Sequence, residues 1–226
     1  MKQWLVEDVM TTDVATVGVE TPYRAIVGVL AGRGVSGVPV VDESGRVEGV
    51  VSESDLLAKV ELTGQPEPRL LVSRRQRVIR DHATASVAGE LMTAPAITVL
   101  RGTALTTAAK LMDDEHVKRL PVVDILGRIE GIVTRGDVLK VYLRPDDDIR
   151  AEISGDMVRR VLSIDEGVLR VAVHEGVVGL TGRVDRRSTA QKAVRLAYAV
   201  PGVVQVTDRV EYDYDDTQVA GMSMIA

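Results

Sequence analysis

Two short motifs place a hydroxyl side chain at the end of a strand and an aspartate three residues later. In the first motif Ser52 precedes Asp55, and in the second Thr134 precedes Asp137. Such a pair is typical of a helix N-terminus, where the hydroxyl residue caps the helix and the carboxylate interacts favourably with the helix dipole. The pair also suits a nucleotide, because a carboxylate can accept both ribose hydroxyls while the helix N-terminus and the hydroxyls bind phosphate. The identical spacing in both copies favours the ligand-binding interpretation over capping alone.

The two motifs belong to a duplicated block of sequence. Residues 8–57 and 90–139 align without a gap at an offset of 82, and 17 of the 50 positions are identical. The strongest similarity lies in residues 38–55 and 120–137. Two units are too few for an open solenoid, which needs roughly three or more repeats. The duplication therefore predicts one pseudo-symmetric domain with paired clefts where the repeats meet.

Each repeat predicts the same order of elements, β-α-β-β-α. Apolar residues at helical spacing predict helices over Pro22–Gly32, with Thr21 as N-cap, and over Ala104–Glu115, with Thr103 as N-cap. A short strand of the type Val-Pro-Val-Val follows, then a hairpin turn with glycine, then a second strand. That strand leads to the hydroxyl–aspartate motif, which opens a second helix.

The composition indicates a globular protein with an aliphatic core. The chain is 45% hydrophobic and 27% charged, and only 3% of its residues are aromatic. The net charge of −5 gives no reason to expect a nucleic-acid partner, and the absence of cysteine excludes disulfides and thiol catalysis. Because neither a signal-peptide apolar region nor an apolar run of about 18 residues occurs, we expect a cytoplasmic location.

Residues 61–86 separate the repeats and carry a basic, partly apolar stretch. Its arginines are Arg69, Arg74, Arg75, Arg77 and Arg80. The pattern is compatible with an amphipathic basic helix, which we interpret as a solvated linker helix packed on the domain. The alternative is a docking element for phosphate, an acidic partner or a membrane surface.

The last third of the chain follows a different pattern, α-β-β-α-β, which predicts a small α+β domain. The expected helices cover residues 147–162 and 188–199, and the expected strands cover residues 168–174, 177–184 and 203–212. We place the domain over residues 146–213 and expect a flexible tail over residues 214–226.

The duplicated block resembles a tandem pair of CBS domains (a Bateman-type module), which binds adenosine-containing ligands. The resemblance rests on the Pro-Val-Val-Asp strand, the Gly-Arg-Val/Ile-Glu-Gly hairpin, the Gly-x-x-Ser/Thr-x-x-Asp strand end and the Met-Thr that begins each repeat. It implies an α+β module with repeat 1 over residues 1–60, a basic linker over 61–86 and repeat 2 over 87–143. It also implies a disk-like homodimer of repeat pairs.

The resemblance further implies which residues form the clefts. Asp55 and Asp137 would hold ribose. The residues implied to lie near phosphate are Ser52, Ser54, Thr134 and Arg135, and those implied to enclose adenine are Thr16, Val17, Thr98 and Val99, with the backbone around Val38, Pro39, Leu120 and Pro121. Repeat 2 adds the cations Lys118 and Arg119, which either bind phosphate or are ordinary surface cations. Because Gly136 replaces Ser54, the two sites are expected to be unequal.

Residues 146–213 resemble a BON domain, through residues 175–184 and 200–206. Such domains are often associated with membrane or phospholipid surfaces, usually in exported proteins. No export signal is evident here, which argues against the membrane role. We assign no ligand site to this domain. A phospholipid surface remains a possible partner through it.

The sequence offers little support for an enzyme. The segment at residues 32–37 fits G-x-G-x-x-G, but it follows a helix and opens a strand, which is the wrong context for a dinucleotide fingerprint. His82, His116 and His174 lie in different segments without metal-ligand spacing, although His116 lies beside the repeat-2 cleft. No nucleophile–base pairing is evident.

Two functional hypotheses follow from the sequence. The first is a regulatory module that binds AMP, ADP, ATP or S-adenosylmethionine as a regulator, with no obligatory cofactor, and couples occupancy to a protein effector or to the C-terminal domain. The alternative is a non-catalytic dimeric scaffold with empty clefts, whose BON-like domain binds membrane or protein partners.

Overall fold

The structure, a computed structural model, describes residues 4–62, 85–165 and 167–217. Leu5–Val138 form one compact unit, which we call the duplicated unit. Trp4 and the described residues after Val138 form the other, the C-terminal unit. The arginines of the predicted basic linker and His82 lie outside the described residues.

The duplicated unit contains the predicted β-α-β-β-α order twice, which confirms the α+β class. The elements of repeat 1 are β1 (Val17–Gly18), α1 (Tyr23–Arg33), β2 (Gly37–Val41), β3 (Val47–Ser52) and α2 (Glu53–Leu62). In repeat 2 a short additional helix, α3 (Ala88–Leu91), comes first. The same order then follows as β4 (Val99–Leu100), α4 (Leu105–Asp114), β5 (Arg119–Val123), β6 (Ile129–Thr134) and α5 (Arg135–Leu139). Each repeat forms a three-stranded sheet whose first pair is parallel and whose second pair is antiparallel.

The first residues of each repeat pair with the sheet of the other repeat. Thr11 exchanges two backbone hydrogen bonds of 2.9 Å with Ile132 on β6. In the same way Thr93 pairs with Val50 on β3, at 3.0 and 3.1 Å. The Met-Thr that begins each repeat is therefore a cross-repeat connection, which fixes the two sheets against each other.

The two hairpin turns also pair with each other. The Val47 amide donates to the Gly127 carbonyl at 3.0 Å, and the Ile129 amide donates to the Gly45 carbonyl at 3.1 Å. These residues are equivalent at the offset of 82, so equivalent positions contact each other in a reciprocal manner. A pseudo-twofold axis therefore runs between the repeats, as the duplication predicts.

The predicted N-caps of the first helix in each repeat are wrong by one residue. Pro22 rather than Thr21 precedes α1, and Ala104 rather than Thr103 precedes α4, in neither case with a side-chain cap. The Thr21 hydroxyl instead accepts a hydrogen bond from the Gly18 amide at 3.0 Å. The hydroxyl thus stabilises the turn before the helix rather than the helix itself.

The C-terminal unit has the predicted order α-β-β-α-β. After a 3₁₀ turn (Lys140–Leu143), its elements are α6 (Asp146–Glu152), a π-helical continuation (Ile153–Val161), β7 (Leu169–His174), β8 (Val177–Arg186), α7 (Arg187–Tyr198) and β9 (Gln205–Tyr214). Strand β7 pairs antiparallel with β8, and β8 pairs parallel with β9. The described part of the predicted tail is tied to α7, because Asp215 accepts from Arg187 and Asp216 accepts from Ser188, both at 2.6 Å.

Both units have aliphatic cores of their own, as the composition predicts. Ile26, Val38, Val40 and Val51 of repeat 1 share one fully buried core with Leu91 of α3. The C-terminal unit buries its own cluster of Ile, Val, Leu, Met and Ala side chains between its helices and its sheet. Among the helices of the described ranges, none is long and apolar enough to cross a membrane.

Candidate functional site

The hydroxyl–aspartate motif forms the same cap in both repeats. The Asp55 Oδ2 atom accepts hydrogen bonds from the Ser52 amide at 2.8 Å and the Ser52 hydroxyl at 2.7 Å. The Asp137 Oδ2 atom accepts from the Thr134 amide at 2.9 Å and the Thr134 hydroxyl at 2.7 Å. Capping is therefore part of the role of both motifs.

One cavity of about 350 Å³, which we call the Asp55 cleft, contains the motif of repeat 1. From repeat 1 it is lined by Ser36, Val50, Ser52, Glu53, Ser54 and Asp55, and from repeat 2 by Thr93, Pro95, Ala96, Ile97, His116, Val117, Lys118 and Arg119. A carboxylate, hydroxyls, two cations and an apolar wall thus come together in one place. Both repeats contribute to it.

The apolar wall of the Asp55 cleft is formed by the segment that follows the cross-repeat connection. Thr93 pairs with Val50, and the Ala96 amide donates to the Glu48 carbonyl at 3.2 Å. These bonds hold the segment along β3, and residues 95–97 line the same cavity as Asp55. Sequence reasoning missed these residues, although the Met-Thr that begins each repeat marks the segment.

A second cavity of about 250 Å³, which we call the Asp13 cleft, lies on the other side of the axis. It is lined by Thr11, Asp13, Val14, Ala15, Gly34, Val35, Ser36, Gly37, Arg119, Ile132 and Thr134. Asp13 is itself paired with Arg33, whose Nη2 atom donates to Asp13 Oδ1 at 2.8 Å. Of the site residues predicted on repeat 2, Thr134 and Arg119 line this cavity.

The structure does not bring Asp137 or Arg135 to either of these two cavities. Asp137 is buried, with 7% of its surface exposed. The Arg135 guanidinium donates to the carbonyls of Met112 and Val117, at 3.2 Å each, so it caps the C-terminal end of α4. Its charge complements the helix dipole there, which is a structural role.

Arg119 lies between the two clefts. Its Nη2 atom donates to the Ser36 hydroxyl at 2.9 Å. The guanidinium occupies the space over Gly37, where an added Cβ would overlap it. Burial lowers the pKa of Arg119 from its usual value, while the negative charges of Glu53 and Asp55 raise it. The guanidinium remains a cation, as arginine does throughout proteins.

His116 lies on the rim of the Asp55 cleft in a left-handed backbone conformation, with φ of 55°. It follows α4, and its equivalent in repeat 1 is Gly34, which follows α1 with φ of 61°. Glycine is the usual residue in this conformation, because it has no Cβ to clash. Repeat 2 therefore places an imidazole at the cleft where repeat 1 has no side chain.

The residues predicted to enclose adenine lie one or two positions from the cavity walls. Val17 and Val99 are buried in β1 and β4, next to Thr16 and Thr98. The pairs Val38-Pro39 and Leu120-Pro121 are buried in β2 and β5. Neither cavity has these eight residues in its lining, which instead contains the nearby positions 15, 37, 97 and 119. Their role toward adenine stays a prediction.

The comparison with known families agrees with this architecture. The pattern of the CBS domain family matches residues 6–62 and 88–144, and that of the BON domain matches residues 145–214. The chain belongs to the CBS domain family, as a tandem CBS pair followed by a BON domain.

Among curated proteins the chain is similar to two CBS domain-containing chloroplast proteins of Arabidopsis thaliana. CBSX2 is 35% identical over 126 residues, which are 51% of this chain and 52% of CBSX2. CBSX1 is 33% identical over 120 residues, which are 49% of this chain and 51% of CBSX1. The chain thus spans about half the length of these relatives.

Two solved structures share the fold of the duplicated unit. The crystal structure of CBSX2 in complex with AMP is 32% identical and covers 62% of this chain and 97% of that chain, with a TM-score of 0.55. The CBS domain pair of MJ0100, in complex with 5-methylthioadenosine and S-adenosyl-L-methionine, is 21% identical and covers 62% and 99%, with a TM-score of 0.50. The second similarity concerns the fold alone.

Proposed function

We propose that the duplicated unit is a regulatory module that binds an adenosine nucleotide, with the Asp55 cleft as its principal site. The observation that carries the proposal is the composition of that cleft. It combines a carboxylate at the start of a helix, two cations and an apolar wall, which match ribose, phosphate and adenine respectively.

Each part of a nucleotide has a suitable partner in the Asp55 cleft. Asp55 would accept the ribose hydroxyls. Lys118 and Arg119 would donate to phosphate oxygens, with charge-assisted bonds of about 1.5–3 kcal/mol each. Pro95 and Ile97 would contact the base, together with apolar atoms of neighbouring residues. A ligand with at least one phosphate would therefore use the whole cleft, whereas adenosine would leave the cations unused.

The similarity to a CBSX2 structure that contains AMP supports AMP as the first ligand to test. ADP, ATP and S-adenosylmethionine remain candidates, because all of them contain the ribose and adenine that the cleft would recognise. The effector is proposed to be either a separate protein or the C-terminal BON domain. A cytoplasmic location also stays a prediction.

We further propose a homodimer that forms through helices α1 and α2. These helices present an apolar groove of about 450 Å³, lined in part by Val27, Leu56, Leu57 and Val60. Leu57 and Val60 are 54% and 65% exposed, which is unfavourable for apolar side chains unless a second copy covers them. Light scattering of the wild type and of Leu57→Glu tests this, since the charged side chain should shift a dimer to a monomer.

Isothermal titration with AMP, ADP, ATP, S-adenosylmethionine and adenosine tests the proposed function. We expect AMP to bind at micromolar concentration, and adenosine to bind at least about tenfold more weakly, because it cannot use Lys118 and Arg119. In Asp55→Ala, AMP binding at this cleft should weaken by at least about 100-fold. If the folded protein gives no heat with any of these ligands, the scaffold hypothesis takes its place, and vesicle or protein binding by the BON domain becomes the next measurement.

A further inference from the structure

The two clefts share a pair of residues that are hydrogen-bonded to each other. Among the described residues, Ser36 and Arg119 are the two that line both cavities, and they bond to each other at 2.9 Å. Arg119 lies over Gly37, its own equivalent in repeat 1, so this contact is at the pseudo-twofold axis. One guanidinium is therefore adjacent to both clefts.

The clefts differ in how much they depend on that guanidinium. In the Asp55 cleft, Lys118 is a second cation beside Arg119. In the Asp13 cleft, Arg119 is the only cation among the described lining residues, and Asp13 contributes a negative charge. An anion in the Asp13 cleft would therefore lose its one favourable charge if Arg119 turned away.

We propose that Arg119 couples the two clefts negatively. This inference rests on the proposed function. When phosphate binds in the Asp55 cleft, the guanidinium donates its N–H groups to it and is withdrawn from the Asp13 cleft. A second phosphorylated ligand then meets a cleft with no cation in its described lining, since the Arg33 that pairs with Asp13 does not line it. By linkage, a phosphate in the Asp13 cleft weakens the Asp55 cleft by the same factor.

The expected effect is about a tenfold weaker affinity of the Asp13 cleft when the Asp55 cleft is filled, which equals about 1.4 kcal/mol. It is measured by AMP titration of two proteins. In the wild type, the second binding step reports the Asp13 cleft with its neighbour filled. In Asp55→Ala, the remaining step reports the same cleft with its neighbour empty. The ratio of these two constants is the coupling.

The variants that assign the coupling are Arg119→Gln and Lys118→Gln. Each is titrated with and without Asp55→Ala to give its own ratio. In Arg119→Gln the ratio should fall to about one, since no shared cation remains. Lys118→Gln is the matched control, because it removes a neighbouring cation that lines the Asp55 cleft alone. Its ratio should stay near tenfold although its first step weakens. Arg119→Lys keeps the charge but not the planar fork of donors, so it should reduce the ratio. It provides a second test of the coupling if Arg119→Gln does not fold.

The outcomes separate this inference from the proposed function. A ratio near one in the wild type, or a tenfold ratio that persists in Arg119→Gln, overturns the coupling but leaves nucleotide binding intact. If Asp55→Ala binds no AMP at all, the Asp13 cleft is not a site and the coupling is likewise overturned. If the wild type binds no AMP, the proposed function itself fails. Adenosine, which has no phosphate, should show a ratio near one in every variant.

Discussion

The two clefts of the duplicated unit are made from equivalent elements, yet they have different chemistry. The Asp55 cleft has about 350 Å³ and two cations, whereas the Asp13 cleft has about 250 Å³ and shares one of those cations. The difference in cations arises at two adjacent positions, where repeat 1 has Ser36-Gly37 and repeat 2 has Lys118-Arg119. The linings differ further at Asp13 opposite Pro95 and at Gly34 opposite His116.

The pseudo-twofold axis explains why these positions must differ. A residue on the axis meets its own equivalent, so both cannot be large. Arg119 fills the space that Gly37 leaves open, and a Cβ at residue 37 would also lie 2.9 Å from the Val51 carbonyl oxygen. The asymmetry of the clefts thus follows from packing at the axis.

The largest expected difference between the repeats is in the loss of AMP affinity when each aspartate is replaced. Both Asp55→Ala and Asp137→Ala remove the same cap, and each should cost about 1 kcal/mol of unfolding free energy. Only Asp55 lines the larger cleft, so Asp55→Ala should weaken AMP binding there by about 100-fold, whereas Asp137→Ala should change it less than about threefold. Calorimetric titration and urea unfolding measure the two effects. Equal losses of affinity in both variants would mean that the clefts are equivalent.

A substitution at the axis should lower the stability of the duplicated unit. Gly37→Ala forces the Arg119 guanidinium out of its position and crowds β3, which should cost about 1–3 kcal/mol of unfolding free energy. The matched control is Gly28→Ala on α1, where an added Cβ meets nothing within 4 Å. That change should instead stabilise by about 0.5–1 kcal/mol, because alanine favours a helix. Urea unfolding checks both, and a neutral Gly37→Ala would contradict the proposed packing at the axis.

Much of the architecture could be predicted from the sequence because it depends on local pattern. The offset of 82, the alternation of apolar residues and the glycine turns predict the order of elements and the pseudo-symmetry. The Ser52–Asp55 spacing predicts a carboxylate at a helix start, and the structure places it there in a cleft. These features need no knowledge of distant contacts.

The rest of the candidate site depends on tertiary packing. Residues 95–97 line the same cavity as Asp55, on a segment that Thr93 pairs with the sheet of the other repeat. Arg135 has the right position in the motif, but the end of α4 engages its guanidinium. Nothing in the spacing of the motif distinguishes such a residue from one that lines the cleft.

A smaller difference in unfolding free energy is expected at the ends of α1 and α4, the first helices of the strand–helix units. His116→Gly removes a side chain from a left-handed conformation, which should stabilise the duplicated unit by about 0.5–1 kcal/mol. The reciprocal change Gly34→Ala should destabilise it by about 1 kcal/mol. Thermal unfolding measures both. If His116→Gly is neutral in stability yet weakens AMP binding, the imidazole contributes to the cleft rather than to strain alone.

The smallest expected difference is between the pKa values of the carboxylates in the two hairpin turns. The pKa of Asp42 is lowered chiefly by the Ser44 hydroxyl, which donates at 2.7 Å, and next by the Arg46 amide. The pKa of its equivalent, Asp124, is lowered chiefly by the Arg128 amide, because repeat 2 has Leu126 in place of the serine. Ser44→Ala should therefore raise the pKa of Asp42 and leave that of Asp124 unchanged.

An NMR pH titration of the carboxyl carbons tests this pair, and Leu126→Ser provides the reciprocal change, since a serine there should lower the pKa of Asp124 further. The sign for stability follows from the direction of the shift. A folded-state pKa below the unfolded value of about 3.9 stabilises the hairpin above that pH, and the stabilisation is lost as the pH falls through the folded value. Wild type and Ser44→Ala should therefore converge in stability in acid and differ near neutrality. A pKa of Asp42 that does not respond to Ser44→Ala would show that the backbone amides alone hold both turns, and that the hairpins, unlike the clefts, have remained equivalent.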